Sequence, residues 1–214
     1  MEQYYSIERN VQILVSLMKQ HGIKRVVVSP GSTNVCFVGS IQQDSYFEIY
    51  SCVDERSAAY MALGMSLRLN EPVVISCTSS TATCNYFPAI AEAFHQGAQL
   101  IVLTSDRNPA LLNQREDQMI DPVGMYGQFA QKCDNLPIVN TDEKLWICER
   151  LVNDAILAMY QHVRGPVQIN IPMLSYYSRC NEPNILTARK IDLCSYETPA
   201  DEWKKCADIL NGKK

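Results

Sequence analysis

Short polar segments follow several apolar runs in this 214-residue sequence, and their side chains could do chemistry. Each comes directly after a run that is typical of a buried strand. The carboxyl ends of parallel strands meet at one edge of a sheet, where ligands bind in open α/β folds, so these segments would contribute to a single site. They are residues 29–34, 53–56, 78–81 and 104–107.

Glu55 is the residue in these segments best suited to acid–base chemistry. A carboxyl group can share its proton with a ring nitrogen when it sits in a partly apolar, water-poor pocket. Acidic residues such as Asp54 and Glu55 are also common at a helix start, because they cap the helix and complement its dipole. The position alone leaves a structural and a catalytic role open, and capping is the commoner of the two.

Strand and helix patterns alternate along most of the chain. This alternation predicts an α/β fold, a parallel sheet with helices on both faces. The predicted strands are residues 25–29, 47–53, 72–77, 100–104 and 167–171. The predicted helices are a first one around residues 11–18, then 55–69, 81–97, 143–162 and 201–210.

An ordered set of blocks resembles the pyrimidine-binding (PYR) domain of thiamine diphosphate enzymes. The block DERSAAY from residue 54, followed by ALG from residue 62, is similar to the helix that activates the cofactor. Further blocks are SPGS from residue 29, CTS from residue 77 with Thr81, Ala82 and Asn85, LTSDR from residue 103, Asp117 and Gln118 with Asp121, and GPVQINIP from residue 165. Together they are most similar to the menaquinone-pathway SEPHCHC synthases, the MenD type, over about residues 7–175.

The resemblance implies a cofactor site and the PYR fold. Glu55 would hydrogen-bond N1′ of the aminopyrimidine and favour the imino tautomer, whose nitrogen removes the thiazolium C2 proton. Ser79, Thr81 and Asn85 would also bind the cofactor. The electron-sink chemistry belongs to the cofactor itself.

The resemblance also implies a substrate site and an activity. Ser32, Arg107 and Gln118 would lie near the substrate acids. An arginine can bind a carboxylate through two parallel hydrogen bonds. The implied reaction is decarboxylation of a 2-oxoacid, such as 2-oxoglutarate, and transfer of the remaining unit to an acceptor. Without the resemblance, Arg107 could equally cap a loop, Ser32 would be a turn residue and Gln118 a surface residue.

Three positions depart from the MenD pattern. Thr33 stands where that type has an arginine, which removes a carboxylate-binding cation. Ser80 stands where it has a glycine, which adds bulk near the cofactor. Asp117 replaces an asparagine and adds a negative charge beside Gln118.

The predicted domain arrangement is a PYR domain over residues 1–178, followed by a linker and the start of a further, missing domain over residues 179–214. Enzymes of this kind hold the diphosphate and Mg²⁺ in a second domain with a Gly-Asp-Gly block, and that block does not occur in this sequence. The resemblance therefore implies that thiamine diphosphate and magnesium require a diphosphate-binding domain in the same or a partner chain. This chain by itself would hold no metal and be inactive.

Two alternatives remain open from the sequence. One is another 2-oxoacid decarboxylase, an acetolactate-synthase-like enzyme or a subunit of a split decarboxylase. The other is a non-catalytic α/β module that binds a small acid or a protein.

Composition and charge limit which classes of partner and which cellular compartment are expected. Hydrophobic residues make up 47% and charged residues 20% of the chain, as in globular proteins. The net charge of −4, with no basic stripe, argues against nucleic acid, and no apolar run is long enough to span a membrane. The nine cysteines are odd in number and dispersed. They are therefore expected to be reduced thiols of a cytoplasmic protein.

A homodimer is the expected assembly, because the resemblance implies an active site formed between subunits. Its contact would include the helix from Glu55 to about Leu67. Small and apolar residues on this helix would allow close packing; they are Ala58, Ala59, Tyr60, Ala62, Leu63 and Met65. The alternative is that the helix is buried against its own sheet.

Overall fold

A computed structural model describes residues 3–79, 81–116, 119–161, 163–173, 180–193 and 200–212. Its helices are α1 (Arg9–Gln20), α2 (Val35–Ile41), α3 (Glu55–Leu69), α4 (Thr81–Cys84), α5 (Phe87–Gln96), α6 (Asp142–Ala158) and α7 (Ala200–Leu210). Its strands are β1 (Tyr5–Ser6), β2 (Arg25–Val28), β3 (Glu48–Ser51), β4 (Val73–Cys77), β5 (Leu100–Asp106), β6 (Lys132–Asn135), β7 (Val167–Pro172) and β8 (Cys180–Glu182).

Six of these strands form one parallel sheet in the order β3-β2-β4-β5-β7-β6. Successive side chains of a strand point to opposite faces, and both faces of this sheet are covered. Val26 and Val28 pack on one face and Val27 on the other, so β2 is apolar at every position after Arg25. All parallel strands end at the same edge, which brings the polar segments together.

Helices cover both faces of the sheet, which confirms the predicted fold class. Helices α1, α2 and α6 pack on one face, and α3 and α5 pack on the other. Among the described residues, no helix is long and apolar enough to cross a membrane.

The predicted helix over residues 81–97 is wrong in one respect, since the structure divides it into α4 and α5. Pro88 lies in the first turn of α5. Proline has no N–H to donate and is favoured in a first turn, so a new helix begins there. The sequence patterns do not predict α2 or the edge strand β6, which are both short.

Residues 180–191, which the sequence analysis assigns to a linker, hydrogen-bond to the rest of the fold. Strand β8 pairs antiparallel with β1. Farther along, α1 holds the chain through Ser16 Oγ, which accepts from Ala188 N at 3.1 Å, and α6 through Asn153 Oδ1, which accepts from Ile191 N at 2.8 Å. We call residues 185–191 the strap. The domain boundary at residue 178 stays a prediction.

Candidate active site

Glu55 begins α3 at the carboxyl edge of the sheet. The helix starts there because Asp54 caps it: Asp54 Oδ2 accepts a hydrogen bond from Ser57 N at 2.8 Å. Hydrogen bonds from the side chain and the backbone N–H of Ser57 lower the pKa of Asp54. With Asp54 as the cap, Glu55 lies in the first turn, is half-buried, and is hydrogen-bonded by no described residue. Its carboxylate is therefore available to a ligand.

The end of β4, near Glu55, is buried and uncharged; we call the side chains of Cys77, Tyr86 and Tyr126 there the floor. Cys77, the last residue of β4, has no solvent exposure. Its burial, together with the nearby charge of Glu55, raises the pKa of Cys77 to about 12. Burial also raises the pKa of Tyr86 and that of Tyr126 well above their ordinary value. A buried, uncharged floor of this kind suits proton sharing between a carboxyl group and a ring nitrogen.

The loops after β2 and β4 pack tightly against each other beside this floor. A Cβ built on Gly31 would lie 2.4 Å from Thr78 Cβ, so only glycine fits there. Ser79 is buried, and its N–H donates to Thr33 Oγ1 at 2.8 Å. Thr33 is thus buried between the loops, where an arginine side chain could not replace it without moving them.

The remaining predicted cofactor residues follow the same loop. Thr81 is exposed at the start of α4, and its carbonyl oxygen accepts from Asn85 Nδ2 at 3.3 Å. Cys84, on the same helix, lies close enough to Cys77 to influence its pKa. The structure therefore brings α4 and Glu55 to one place at the edge of the sheet, beside the end of β4.

The predicted substrate residues have different surroundings. Ser32 is exposed at the tip of the loop after β2. Arg107, just beyond β5, donates from Nη1 to Glu116 Oε1 at 2.7 Å. Gln118 lies outside the described residues, as do Ser80 and Asp117.

A buried polar network near the ends of β5 and β7 was missed by the sequence analysis. Thr104 Oγ1 donates to Asn170 Oδ1 at 2.9 Å and accepts from Gln168 Nε2 at 3.2 Å, while Asn170 Nδ2 reaches Asn135 Oδ1 at 2.9 Å. The available signal was the alternation of Gln168 and Asn170 with apolar residues in a strand that is buried throughout. Beside the network, burial raises the pKa of Asp106.

No cluster of metal-ligating side chains occurs in the part of the chain that the structure describes. The described side chains of the site are mainly hydroxyls and amides, together with the half-buried carboxylate of Glu55 and the ion pair of Arg107 with Glu116. Such a donor set suits an organic ligand with ring nitrogens and carboxylates.

The fold and the site define a cofactor-binding domain of thiamine pyrophosphate enzymes. Residues 9–125, more than half of the chain, match the family described as "Thiamine pyrophosphate enzyme, N-terminal TPP binding domain", and the chain belongs to this family.

Its curated relatives include 2-succinyl-5-enolpyruvyl-6-hydroxy-3-cyclohexene-1-carboxylate synthases. The chain is 41% identical to that of Bacteroides fragilis over 169 residues, which cover 79% of this chain and 30% of the relative. It is 37% identical to the Porphyromonas gingivalis synthase over 172 residues, which cover 80% and 30%. The chain therefore spans about a third of the length of these relatives.

A solved structure shares the fold at low sequence identity. Benzoylformate decarboxylase from Polynucleobacter necessarius superposes with a TM-score of 0.66 at 20% identity, covering 95% of this chain and 36% of that one. This likeness supports the predicted PYR fold and says nothing about the substrate.

Proposed function

We propose that this chain is the PYR domain of a thiamine diphosphate-dependent carboligase of the SEPHCHC synthase type. The complete enzyme would decarboxylate a 2-oxoacid such as 2-oxoglutarate and transfer the remaining unit to an acceptor. The observation that carries the proposal is the position of the Glu55 carboxylate. It is half-buried near the uncharged Cys77, and it accepts no hydrogen bond from any described residue.

The pyrimidine ring of the cofactor would be held by Glu55 together with Ser79, Thr81 and Asn85. Thiamine diphosphate, when bound, supplies the electron sink for decarboxylation and carbon–carbon bond formation. Glu55 would hold a proton against a ring nitrogen, and the buried floor would exclude water from that contact. Mg²⁺ and the diphosphate would be held by a second domain, in the same or a partner chain.

The substrate acids would meet Ser32, Arg107 and Gln118. A guanidinium can grip a carboxylate through two parallel hydrogen bonds, which would orient the acid for transfer. With Thr33 buried between loops, Arg107 is the guanidinium we assign to this task.

The complete enzyme would act as a homodimer in the cytoplasm. Of the α3 residues proposed for the contact, Ala58, Ala59, Ala62 and Leu63 are buried against the sheet of their own chain. The exposed large apolar residues of the same helix, which would supply the contact instead, are Tyr60, Met61, Leu67 and Leu69.

Glu55→Gln tests the proposal in the complete polypeptide that carries this chain. The amide keeps the shape of the side chain but cannot hold or release the proton. We expect exchange of the cofactor C2 proton for deuterium, followed by proton NMR, to slow by about 100-fold or more. Glu92→Gln, which changes an exposed carboxylate on α5, is the matched control and should leave exchange unchanged. Equal exchange in wild type and Glu55→Gln would remove Glu55 from the chemistry.

A further inference from the structure

Thr33 lies where three strand-end segments meet. It is 1% exposed, and its hydroxyl is within hydrogen-bond distance of groups after β4 and within β5. Oγ1 accepts from Ser79 N at 2.8 Å and lies 2.9 Å from Thr78 Oγ1. It also lies 3.3 Å from both the carbonyl oxygen and the hydroxyl of Ser105. One side chain after β2 therefore joins β4 and β5.

One of these hydrogen bonds has a fixed direction. A threonine hydroxyl has one proton and two lone pairs. The Ser79 N–H can only donate, so it uses one lone pair of Thr33 Oγ1. The proton and the other lone pair of Oγ1 serve the Ser105 carbonyl and the neighbouring hydroxyls of Thr78 and Ser105. Since Ser105 Oγ in turn donates to the Cys77 carbonyl at 2.9 Å, every group in the cluster is satisfied.

Neighbouring contacts hold the loop that carries Thr33. Asn34 is also 1% exposed, and its Oδ1 accepts from Gly31 N at 2.8 Å. Asn34 Nδ2 donates to the Ser29 carbonyl at 3.1 Å and to Ser76 Oγ at 3.2 Å. The loop after β2 thus fixes the position of Thr33, and the hydrogen bonds of Thr33 in turn fix the positions of Thr78 and Ser79.

We propose that Thr33 is a positioning residue, whose hydroxyl holds the loop at Thr78 and Ser79 in register with β5 so that α4 and Ser79 can bind the pyrimidine ring. This inference rests on the proposed function for the identity of the ligand. The positioning itself depends only on the hydrogen bonds of Thr33. It also gives Thr33 a structural task that an arginine at this position could not perform.

The first measurement is amide hydrogen exchange in this 214-residue chain. Thr33→Val keeps the shape but leaves the buried Ser79 N–H without an acceptor, whereas Thr33→Ser keeps the hydroxyl. We expect the exchange rate of the Ser79 amide, relative to that of Val74 within β4, to rise about tenfold or more in Thr33→Val. The ratio should return to within about threefold of wild type in Thr33→Ser.

Thr104→Val is the matched control. Thr104 is also fully buried and hydrogen-bonded through its hydroxyl, but to Asn170 and Gln168 instead of the loop after β4. It should lower overall stability and leave the Ser79 to Val74 ratio unchanged. An unchanged ratio in Thr33→Val, or an equal rise in Thr104→Val, would overturn the proposal.

The second measurement is the apparent affinity of the complete polypeptide for thiamine diphosphate. We expect Thr33→Val to weaken it by about tenfold and Thr33→Ser to restore it. Unchanged affinity in Thr33→Val, despite faster Ser79 exchange, would overturn the positioning role. Failure of the wild-type protein to bind thiamine diphosphate would instead overturn the proposed function and the assigned ligand, while the exchange ratio would still report whether Thr33 holds the loop.

Discussion

The guanidinium of Arg107 is paired with the carboxylate of Glu116, at 2.7 Å between Nη1 and Oε1. The Arg107 side chain is 14% exposed and that of Glu116 is 39% exposed. The cation assigned to a substrate carboxylate is thus held by a carboxylate of the same chain. A substrate acid that binds Arg107 must therefore compete with Glu116.

Glu116→Gln should strengthen the binding of an acidic substrate by the complete polypeptide. The amide keeps the length of the side chain but removes the competing charge. Because a partly exposed ion pair contributes up to about 1 kcal/mol, we expect the KM for the acidic substrate to fall about two- to fivefold. The fall should be smaller at high salt, where screening already weakens the pair.

Asp154→Asn provides a control for this prediction. It breaks a similar pair on α6, in which Arg150 Nη1 lies 2.9 Å from Asp154 Oδ2. Among the described residues, this pair contacts neither Ser32 nor Arg107, so its loss should leave the KM unchanged. A KM that does not change in Glu116→Gln would argue against a substrate role for Arg107.

Gly31→Ala should destabilise the chain strongly. The added Cβ would lie 2.4 Å from Thr78 Cβ, an atom fixed to the backbone, so the loops must separate. Overpacking of this kind costs about 1–3 kcal/mol in the free energy of unfolding, which urea denaturation measures.

Gly64→Ala is the matched control, since nothing lies within 4 Å of the added Cβ. Gly64 lies inside α3, where alanine is favoured over glycine by about 0.5–1 kcal/mol. This variant should therefore be more stable than wild type. A Gly31→Ala variant at least as stable as wild type would mean that the close approach of Gly31 to Thr78 does not hold in solution.

The layered fold was predictable because its signals are local. A run such as residues 26–28 is apolar at every position, which indicates a strand buried on both faces. The start of α3 was predictable from Asp54, which supplies the cap. Helix α2 was not predictable in this way, because it is one of the shortest helices and its packing against α1 and β1 comes from distant segments.

The site was predictable only in part, for a related reason. Glu55 is marked by its own neighbours in sequence. The burial of Thr33 is not, since its hydrogen-bond partners Thr78 and Ser105 lie 45 and 72 residues away. The sequence indicated that position 33 lacks a cation. The contacts that Thr33 makes could be seen only in the three-dimensional structure.

His21 should make the stability of the chain depend on pH. Its Nε2 lies 2.9 Å from Asn153 Oδ1, and burial lowers the pKa of His21. The unfolded chain therefore binds a proton more readily, so the stabilising contribution is fully present above about pH 6.5 and is lost as the pH falls below that value. We expect the stability difference between wild type and His21→Gln to be larger at pH 7.5 than at pH 5.5.

Gln20→Ala is the control for this prediction, because it removes a hydrogen bond to the strap without removing a group that titrates. Gln20 Nε2 donates to the Ala188 carbonyl at 2.8 Å, and its side chain does not titrate. This variant should lower the free energy of unfolding by a similar amount at both pH values. A pH-independent difference for His21→Gln as well would mean that burial does not shift its pKa in solution.

The exposed side of α3 should carry the contact between two copies of this chain. Tyr60 and Leu67 are each 46% exposed and lie seven residues apart on α3, so they share one side of the helix. Exposed apolar patches usually bind a partner, and two-fold pairing is the commonest way to cover one.

Leu67→Glu should shift the chain from dimer to monomer in sedimentation equilibrium without lowering its helical content. Ile209→Glu, which adds the same charge to a 74% exposed residue of α7, should leave the dimer intact. A wild-type chain that stays monomeric at high concentration, or a Leu67→Glu variant that still dimerises, would exclude this surface as the contact.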